Sequence, residues 1–255
     1  MRNGKSLNIW KVIKACQLNK WSGLKRFYKE TAICDGIGGV YLVTLDGKSV
    51  KTPAGADLAV PSHFLAEAMA IEWGAQGELI DPGSMPLCKL SATAIDRIRG
   101  KRDEVVGITL KIAETDLLCY RAIEPLDLAE LQNISWQPEL NWAREKFGAD
   151  LKITSGILPI IQPENSLLAL QELLFVLDDY KLMGVTNAAA AAGSLVLSLS
   201  MFNGRMNADT MFEKSILEEN YQMEKWGLDD EAVERHKIIR HDIQSSAYFL
   251  SLLEK

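Results

Sequence analysis

The pattern of apolar and polar positions in residues 27–60 predicts a small antiparallel sheet. Residues 40–45 (VYLVTL) are rich in β-branched and aromatic side chains, which favour strands. Asp46-Gly47 follows directly and favours a hairpin, because both central positions of a type I′ turn need positive φ. Residues 27–33, 49–52 and 57–60 are further β-prone segments, and residues 35–39 (DGIGG) predict a turn between the first two strands.

Helical periodicity replaces this pattern after Pro61. Ser62 is the predicted N-cap of a helix on which Leu65, Met69 and Trp73 recur at a spacing of four. Further helices are predicted near residues 89–98, 102–114, 126–147, 165–182, 186–202, 209–226 and 229–253, with extended segments near 117–121 and 151–161. We therefore expect an α+β protein with a basic extension at 1–25, a small α+β domain at 26–90 and an α-helical bundle at 91–255.

Residues 185–202 form one uncharged stretch that is a candidate membrane span. A span needs about 20 predominantly apolar residues. This stretch has 18 residues and includes a threonine, an asparagine, a glycine and three serines. A helix buried in the protein core is the favoured interpretation, and no stable membrane insertion is expected.

The charge of the chain is unevenly distributed. The net charge is −6, yet residues 1–29 contain eight Lys and Arg and no acid. The remaining residues carry 20 bases against 34 acids, a balance of −14. An acidic body argues against binding to nucleic acid, which needs a basic face for the phosphates. The basic start is open to three interpretations: an electrostatic arm, a targeting segment or a loose extension, of which we favour the last.

Metal, thiol and nucleophile motifs are missing from the sequence. Gly36-Ile37-Gly38-Gly39 precedes a strand, so it lacks the helix N-terminus that a phosphate loop needs. There is no G-x-S-x-G elbow and no H-E-x-x-H, and we expect no cofactor and no metal. Far-apart cysteines predict free thiols in a reducing compartment. The cysteines and histidines are Cys16, Cys34, Cys88, Cys119, His63, His236 and His241.

The segment 209–226 contains the most unusual charge of the chain. On a continuous helix Glu219 lies within an apolar stripe, and burying an unpaired carboxylate costs several kcal/mol. Either Glu219 pairs with an internal Arg or Lys, or it lies in an apolar groove that binds another protein. The stripe consists of Phe212, Ile216, Met223 and Trp226, with Leu217 and Tyr221 on the opposite side. His236 lies on an apolar stripe of its own and is predicted to be a core histidine.

An ordered set of segments resembles the ATP12 family, the chaperones that hold the α subunit of F1-ATPase before assembly. The resemblance covers about residues 26–235, and it is the order of the segments that is specific. They are RFYK (26–29), VTLDGK (43–48), KTP (51–53), VPS (60–62), EW with Gln76 (72–76), MPL (85–87), TAID (93–96), DLLCYR (116–121), WQP (136–138), Trp142, Gly148, LEENYQ (217–222) and KWG (225–227).

The resemblance implies a small α+β domain followed by a bundle of roughly orthogonal helices. It implies a binding protein, not an enzyme, whose partner is the unassembled α subunit of F1-ATPase. An acidic residue of the LEENYQ segment is implied to matter for function, and the stripe favours Glu219. The partner-binding residues expected on this basis are Glu219, Glu218, Tyr221, Leu217, Gln222 and Trp226, and the structural family positions are Trp73, Pro86 and Asp96.

Two other classes of function stay open from the sequence. The first is an enzyme that uses Glu219 and His236 for acid–base chemistry. The second is a stable accessory subunit of ATP synthase. We expect a monomer in the bacterial cytoplasm, or in the mitochondrial matrix if the source is eukaryotic.

Overall fold

The computed structural model describes residues 21–156, 159–227 and 230–254, which form two compact units. The first unit contains the described residues up to Arg102, together with Asp178–Gly184 and the residues from Tyr248 onward. The second contains Asp103–Leu177 and Val185–Ala247. The boundary predicted at residues 90–91 lies inside a helix of the first unit. Most of the predicted basic extension, residues 1–20, lies outside the described residues.

The predicted sheet is present in the first unit, and its hairpins have the expected order. Strand β2 (Tyr41–Leu45) pairs antiparallel with β1 (Thr31–Asp35) on one edge, and with β3 (Lys48–Ser49) and β4 (Ala59–Val60) on the other. Asp46 and Gly47 have φ values of 48° and 78°, as a type I′ turn requires. The predicted hairpin is therefore confirmed, and the turn predicted at 35–39 begins after Asp35, the last residue of β1.

Helix α1 (His63–Gly74) packs on strands β1 and β2 and completes the core of this unit. The Ser62 side chain accepts a hydrogen bond from Leu65 N, which confirms the predicted N-cap. Leu65, Met69 and Trp73 are almost fully buried, as their spacing predicts. Trp73 packs edge-on against Trp21, with ring centroids 5.2 Å apart. Aromatic packing of this kind anchors the segment that contains Trp21 to the helix.

The remaining helices of the chain are longer than the strands. The helix predicted at 89–98 is α2 (Pro86–Thr93), extended by a π-helical turn at Ala94–Ile98. The others are α3 (Arg102–Glu114), α4 (Leu126–Phe147), α5 (Glu164–Val176), α6 (Asp179–Ala192), α7 (Leu195–Phe202), α8 (Ala208–Ser215), α9 (Leu217–Trp226) and α10 (Asp230–Leu253). Strands β5 (Tyr120–Arg121) and β6 (Thr154–Ser155) pair in parallel within the second unit. The predicted α+β class is confirmed.

Two of the predicted helices, at 165–182 and 186–202, are wrong in their boundaries. The chain breaks instead at Leu177-Asp178, where the Asp178 carboxylate accepts from Tyr180 N and Lys181 N and so starts α6. It breaks again at Gly193, whose φ of 69° ends α6. The Ser194 side chain then accepts from Leu197 N and starts α7.

The helix predicted at 209–226 is also two helices. Ile216 has φ −111° and ψ 13°, outside the helical region, and separates α8 from α9. The Ser215 hydroxyl donates to Phe212 O, a local bond that competes with regular helix continuation. The apolar stripe that assumed one continuous helix is therefore interrupted at Ile216.

The uncharged stretch 185–202 lies in the core, as predicted, although in two helices. Most of its residues are buried, and Ser198 donates to Val185 O within the second unit. In the part of the chain that the structure describes, no helix combines the length and apolar character needed to cross a membrane. Cys34, Cys88 and Cys119 are free thiols, as predicted, and Cys16 lies outside the described residues.

Candidate partner-binding surface

Helix α9 carries the six residues expected to bind a partner. They fall into three groups according to their burial and to the helix that they face. Tyr221 is buried toward α4, and Glu219 is half-buried toward α10. Glu218, Gln222 and Trp226 recur at a spacing of four and are exposed, so they form the open face of the helix. Leu217 is half-buried at the start of α9.

Glu219 is paired inside the second unit. Its Oε2 accepts from Arg235 Nη2 at 2.8 Å and lies 2.6 Å from His236 Nε2. The Glu219 side chain is 19% exposed and that of His236 is 10% exposed. The pair fixes α9 on α10, and it is the internal pairing that the sequence left open. His236 is a buried histidine, as predicted, and packs edge-on to Phe212.

The contact between Glu219 and His236 also brings together the two residues of the enzyme hypothesis. A carboxylate beside an imidazole suits proton transfer when a substrate can reach it. Here Arg235 binds the same carboxylate oxygen, which favours a structural ion pair. No group of three or more His, Cys, Asp or Glu suited to hold a metal occurs among the described residues.

A second polar contact holds α9 on α4. The Tyr221 hydroxyl donates to Asp127 Oδ1 at 2.7 Å, and Lys225 Nζ lies 3.4 Å from Asp127 Oδ2. The hydrogen bond from Tyr221 lowers the pKa of Asp127, and the same bond raises the pKa of Tyr221. The carboxylate therefore stays charged at neutral pH and places α9 beside the first turn of α4.

Exposed apolar side chains occur on both helices that this contact joins. Leu131 and Ile134 follow Asp127 at helical spacing, so they share its stripe on α4. Leu126 precedes Asp127, and Trp226 follows Lys225. We call these four residues the apolar rim; Leu126 is 79% exposed, Leu131 47%, Ile134 66% and Trp226 75%. Clusters of exposed apolar side chains mark surfaces that bind other proteins.

The three structural family positions lie in the first unit and have packing or capping contacts. Trp73 is 1% exposed. Pro86 occupies the first turn of α2, where its missing N–H costs nothing. Asp96 accepts from Thr52 Oγ1 at 2.7 Å and from Ala54 N at 3.0 Å, and so fixes the loop between β3 and β4.

Glu72, which precedes Trp73, has a capping role of its own. Its two carboxylate oxygens accept from Leu87 N and Cys88 N at 2.8 and 2.9 Å. These are free N–H groups of the first turn of α2, where negative charge is favourable. Burial nevertheless raises the pKa of Glu72.

Sequence reasoning missed Glu139, a buried carboxylate of α4. It accepts from Ser200 Oγ and Arg205 Nε, both at 2.9 Å, and lies 3.4 Å from Lys214 Nζ. Glu139 shares a helical stripe with the buried Trp136 and could have been found by its spacing. It ties α4 to α7 and α8 rather than facing the open surface.

Solved structures with the same architecture define the class of protein. Atp12 from Paracoccus denitrificans has a TM-score of 0.85 and 34% sequence identity, with 90% of this chain and 98% of that chain covered. A point mutant of the same Atp12 has the same TM-score and identity. The Atu1473 protein from Agrobacterium tumefaciens has a TM-score of 0.87 and 31% identity, covering 97% of this chain and 98% of that one. The fold is that of the Atp12 chaperones.

Sequence comparison places the chain more narrowly. The ATP12 chaperone protein family matches residues 25–144. The mitochondrial protein atp12 of Schizosaccharomyces pombe is 26% identical over 243 residues, or 91% of this chain and 82% of that protein. The chain belongs to the ATP12 chaperone family, whose role lies in the assembly of ATP synthase.

Proposed function

We propose that this chaperone binds the unassembled α subunit of F1-ATPase and prevents its aggregation until the β subunit joins. It acts by binding, as a monomer, without catalysis and without a cofactor. Its place of action is the compartment in which F1 is assembled, the bacterial cytoplasm or, in a eukaryote, the mitochondrial matrix.

The observation that carries this proposal is the apolar rim at the junction of α4 and α9. A subunit awaiting its partner exposes apolar surface that the finished complex buries, and a holding protein needs a complementary surface. The rim offers such a surface, with polar groups on the open face of α9 beside it. Binding energy at such surfaces is concentrated in a few large side chains, with tryptophan enriched among them. Trp226 is therefore the expected anchor.

Glu219 has an indirect role in this proposal. Because its carboxylate is bound by Arg235 and His236, we assign it to positioning α9, while Glu218, Gln222 and Trp226 contact the client. Tyr221 holds the same helix from the side of α4. Leu217, half-buried at the start of α9, supports the helix rather than the client contact.

The first test is a pull-down of the tagged full chain from its host during synthesis of F1. Recovery of free α subunit without assembled ATP synthase is the expected result. Recovery of the finished enzyme would instead indicate a stable accessory subunit. Recovery of no α subunit while α is being made would refute the proposed client.

The second test substitutes the rim. Trp226→Ser and Ile134→Ser are each expected to weaken binding of purified α subunit by about tenfold or more, the cost of removing a large apolar contact. Ile71→Ser is the matched control, because Ile71 is 71% exposed on α1 in the first unit. Equal affinity of all three variants, measured by interferometry, would exclude the rim as the client site.

A further inference from the structure

Two buried side chains of the second unit have N–H groups that no described residue accepts. Arg121 is 9% exposed and Gln132 is fully buried. Arg121 Nη2 and Gln132 Nε2 are both sealed from solvent and without a hydrogen-bond partner. A buried donor left unpaired costs roughly 1–3 kcal/mol, so such groups normally have an acceptor.

The other polar atoms of the two side chains are bonded and fix the position of these donors. Arg121 Nε donates to Leu118 O at 2.9 Å, and Arg121 Nη1 donates to Gln132 O at 2.5 Å. Gln132 Oε1 accepts from Ala122 N at 2.7 Å, which orients the amide with Nε2 as the remaining donor. The two side chains therefore belong to one hydrogen-bonded cluster at the start of α4.

The cluster carries a positive charge that its surroundings do not balance. An arginine stays protonated in a protein, and no carboxylate among the described residues lies within ion-pair distance of Arg121. The Trp136 ring faces the guanidinium with 5.2 Å to its centroid, a contact that attracts a cation but does not neutralise it.

The neighbouring acidic groups do not supply the missing charge. Burial raises the pKa of the Cys119 thiol well above its usual value, so the thiol stays neutral. The buried Asp116 is bonded elsewhere: its Oδ1 accepts from Leu118 N at 3.0 Å, and its Oδ2 accepts from Val196 N of α7 at 3.1 Å. A buried charge of this kind needs a counter-charge.

We propose that Arg121 and Gln132 form a binding site for a small monovalent anion taken from solution. A free anion is favoured over a carboxylate of a partner because both donor atoms are sealed from solvent. Chloride is the probe, since a halide accepts hydrogen bonds from several directions. The site is independent of the client-binding rim, and the anion acts as a counter-ion that stabilises the second unit.

The test is thermal unfolding of the full chain in sodium chloride and in sodium gluconate of equal ionic strength. Gluconate is too bulky for the site. Relative to gluconate, chloride is expected to raise the thermal unfolding midpoint of the parent protein. The expected rise is about 4 °C for each tenfold increase in chloride concentration above the Kd for chloride. Arg121→Met removes the positive charge, so its unfolding midpoint is expected to be the same in chloride and in gluconate.

Gln132→Glu is the second variant, because it keeps the acceptor for Ala122 N and adds an internal carboxylate beside Arg121. It is expected to lose the chloride dependence while keeping a midpoint at least as high as that of the parent in gluconate. A bromide-soaked crystal of the parent should show an anomalous peak at Arg121 Nη2 and Gln132 Nε2. An ordered water there instead, or equal chloride dependence in all three proteins, would overturn the proposal.

Discussion

Asp116 is a fully buried carboxylate that accepts a hydrogen bond from the first turn of α7. Its ionisation is coupled to folding. Burial raises its pKa from 3.8 to about 6, although hydrogen bonds from the first turn of α7 oppose the shift. A carboxyl with a raised pKa binds its proton more tightly in the folded state. Asp116 therefore costs stability above pH 6, and the cost is released as the pH falls from 6 toward 3.8.

We expect the free energy of unfolding of the parent, relative to Asp116→Asn, to rise by about 2 kcal/mol between pH 7 and pH 4. Urea unfolding at several pH values measures it. Asp127→Asn is the control of opposite sign, because the pKa of Asp127 is lowered and its contribution is lost below pH 3.8. Parallel pH profiles of the parent and Asp116→Asn would contradict the argument.

Single residues differ in how far the sequence reveals them. The Ser62 cap and the Asp46-Gly47 turn depend on neighbouring residues, so local patterns predict them. Glu219 was identified as unusual because a carboxylate interrupts an apolar stripe. Its partners, Arg235 and His236, lie 16 and 17 residues away, and no local pattern specifies such a pairing. Which face of α9 stays open depends on the same tertiary contacts.

Helix α9 is a short element that is held by two polar contacts to α10, through Glu219, and by two to α4, through Asp127. Glu219→Gln removes the charge-assisted bonds to α10, each worth about 1 kcal/mol when partly exposed. We expect faster amide hydrogen exchange across residues 217–226 and weaker binding of α subunit. Exchange measured by mass spectrometry separates this positioning role from a direct contact, because Trp226→Ser should weaken binding without changing exchange.

Glu218→Gln is the matched control for this measurement. Glu218 is exposed and its Oε1 accepts from Gln222 Nε2 one turn away on the same helix, so the change should leave exchange in α9 as it is. If Glu219→Gln binds α subunit as tightly as the parent and exchanges at the same rate, the positioning role is wrong.

Among the elements, those with strong periodicity and clear end signals were predicted well. Helix α4 ends at Gly148, whose φ of 71° suits a glycine, and the predicted 126–147 matches it. The breaks at Leu177, Gly193 and Ile216 were missed because the apolar pattern continues through them. A buried helix and two buried helices in succession have the same hydrophobic composition, so periodicity alone does not separate them.

The whole molecule carries a net charge of −6, and the four residues of the apolar rim are exposed. If the rim serves a client, it must be free in the unbound protein. We therefore expect a single species of about 28.3 kDa by light scattering across the micromolar range. A dimer that Trp226→Ser dissociates would show that the rim binds a second copy, and that result would contradict the client site.

The sequence predicted the class of the molecule but not how its two units share the chain. The α+β class follows from local patterns in a strand-rich region and a helix-rich region. The contribution of Asp178–Gly184 and of the last residues of α10 to the first unit has no local signal. The sequence of both segments predicts ordinary helix. Their place in the first unit depends on contacts with residues that are distant in the sequence.

This arrangement has a consequence for biosynthesis. Ser62 donates to Leu252 O, and the Tyr180 hydroxyl donates to Ala59 O, so the early residues of the first unit are bonded to its two later segments. A Cβ at Gly184 would lie 2.6 Å from Leu250 Cδ2, so these late segments also pack closely on each other. The sheet and α1 are therefore synthesised well before residues 178–184 and 248–254, which belong to the same unit. The nascent chaperone completes this unit only after residues 248–254 have been made, and loss of those residues would remove the acceptor of the Ser62 hydroxyl at the start of α1.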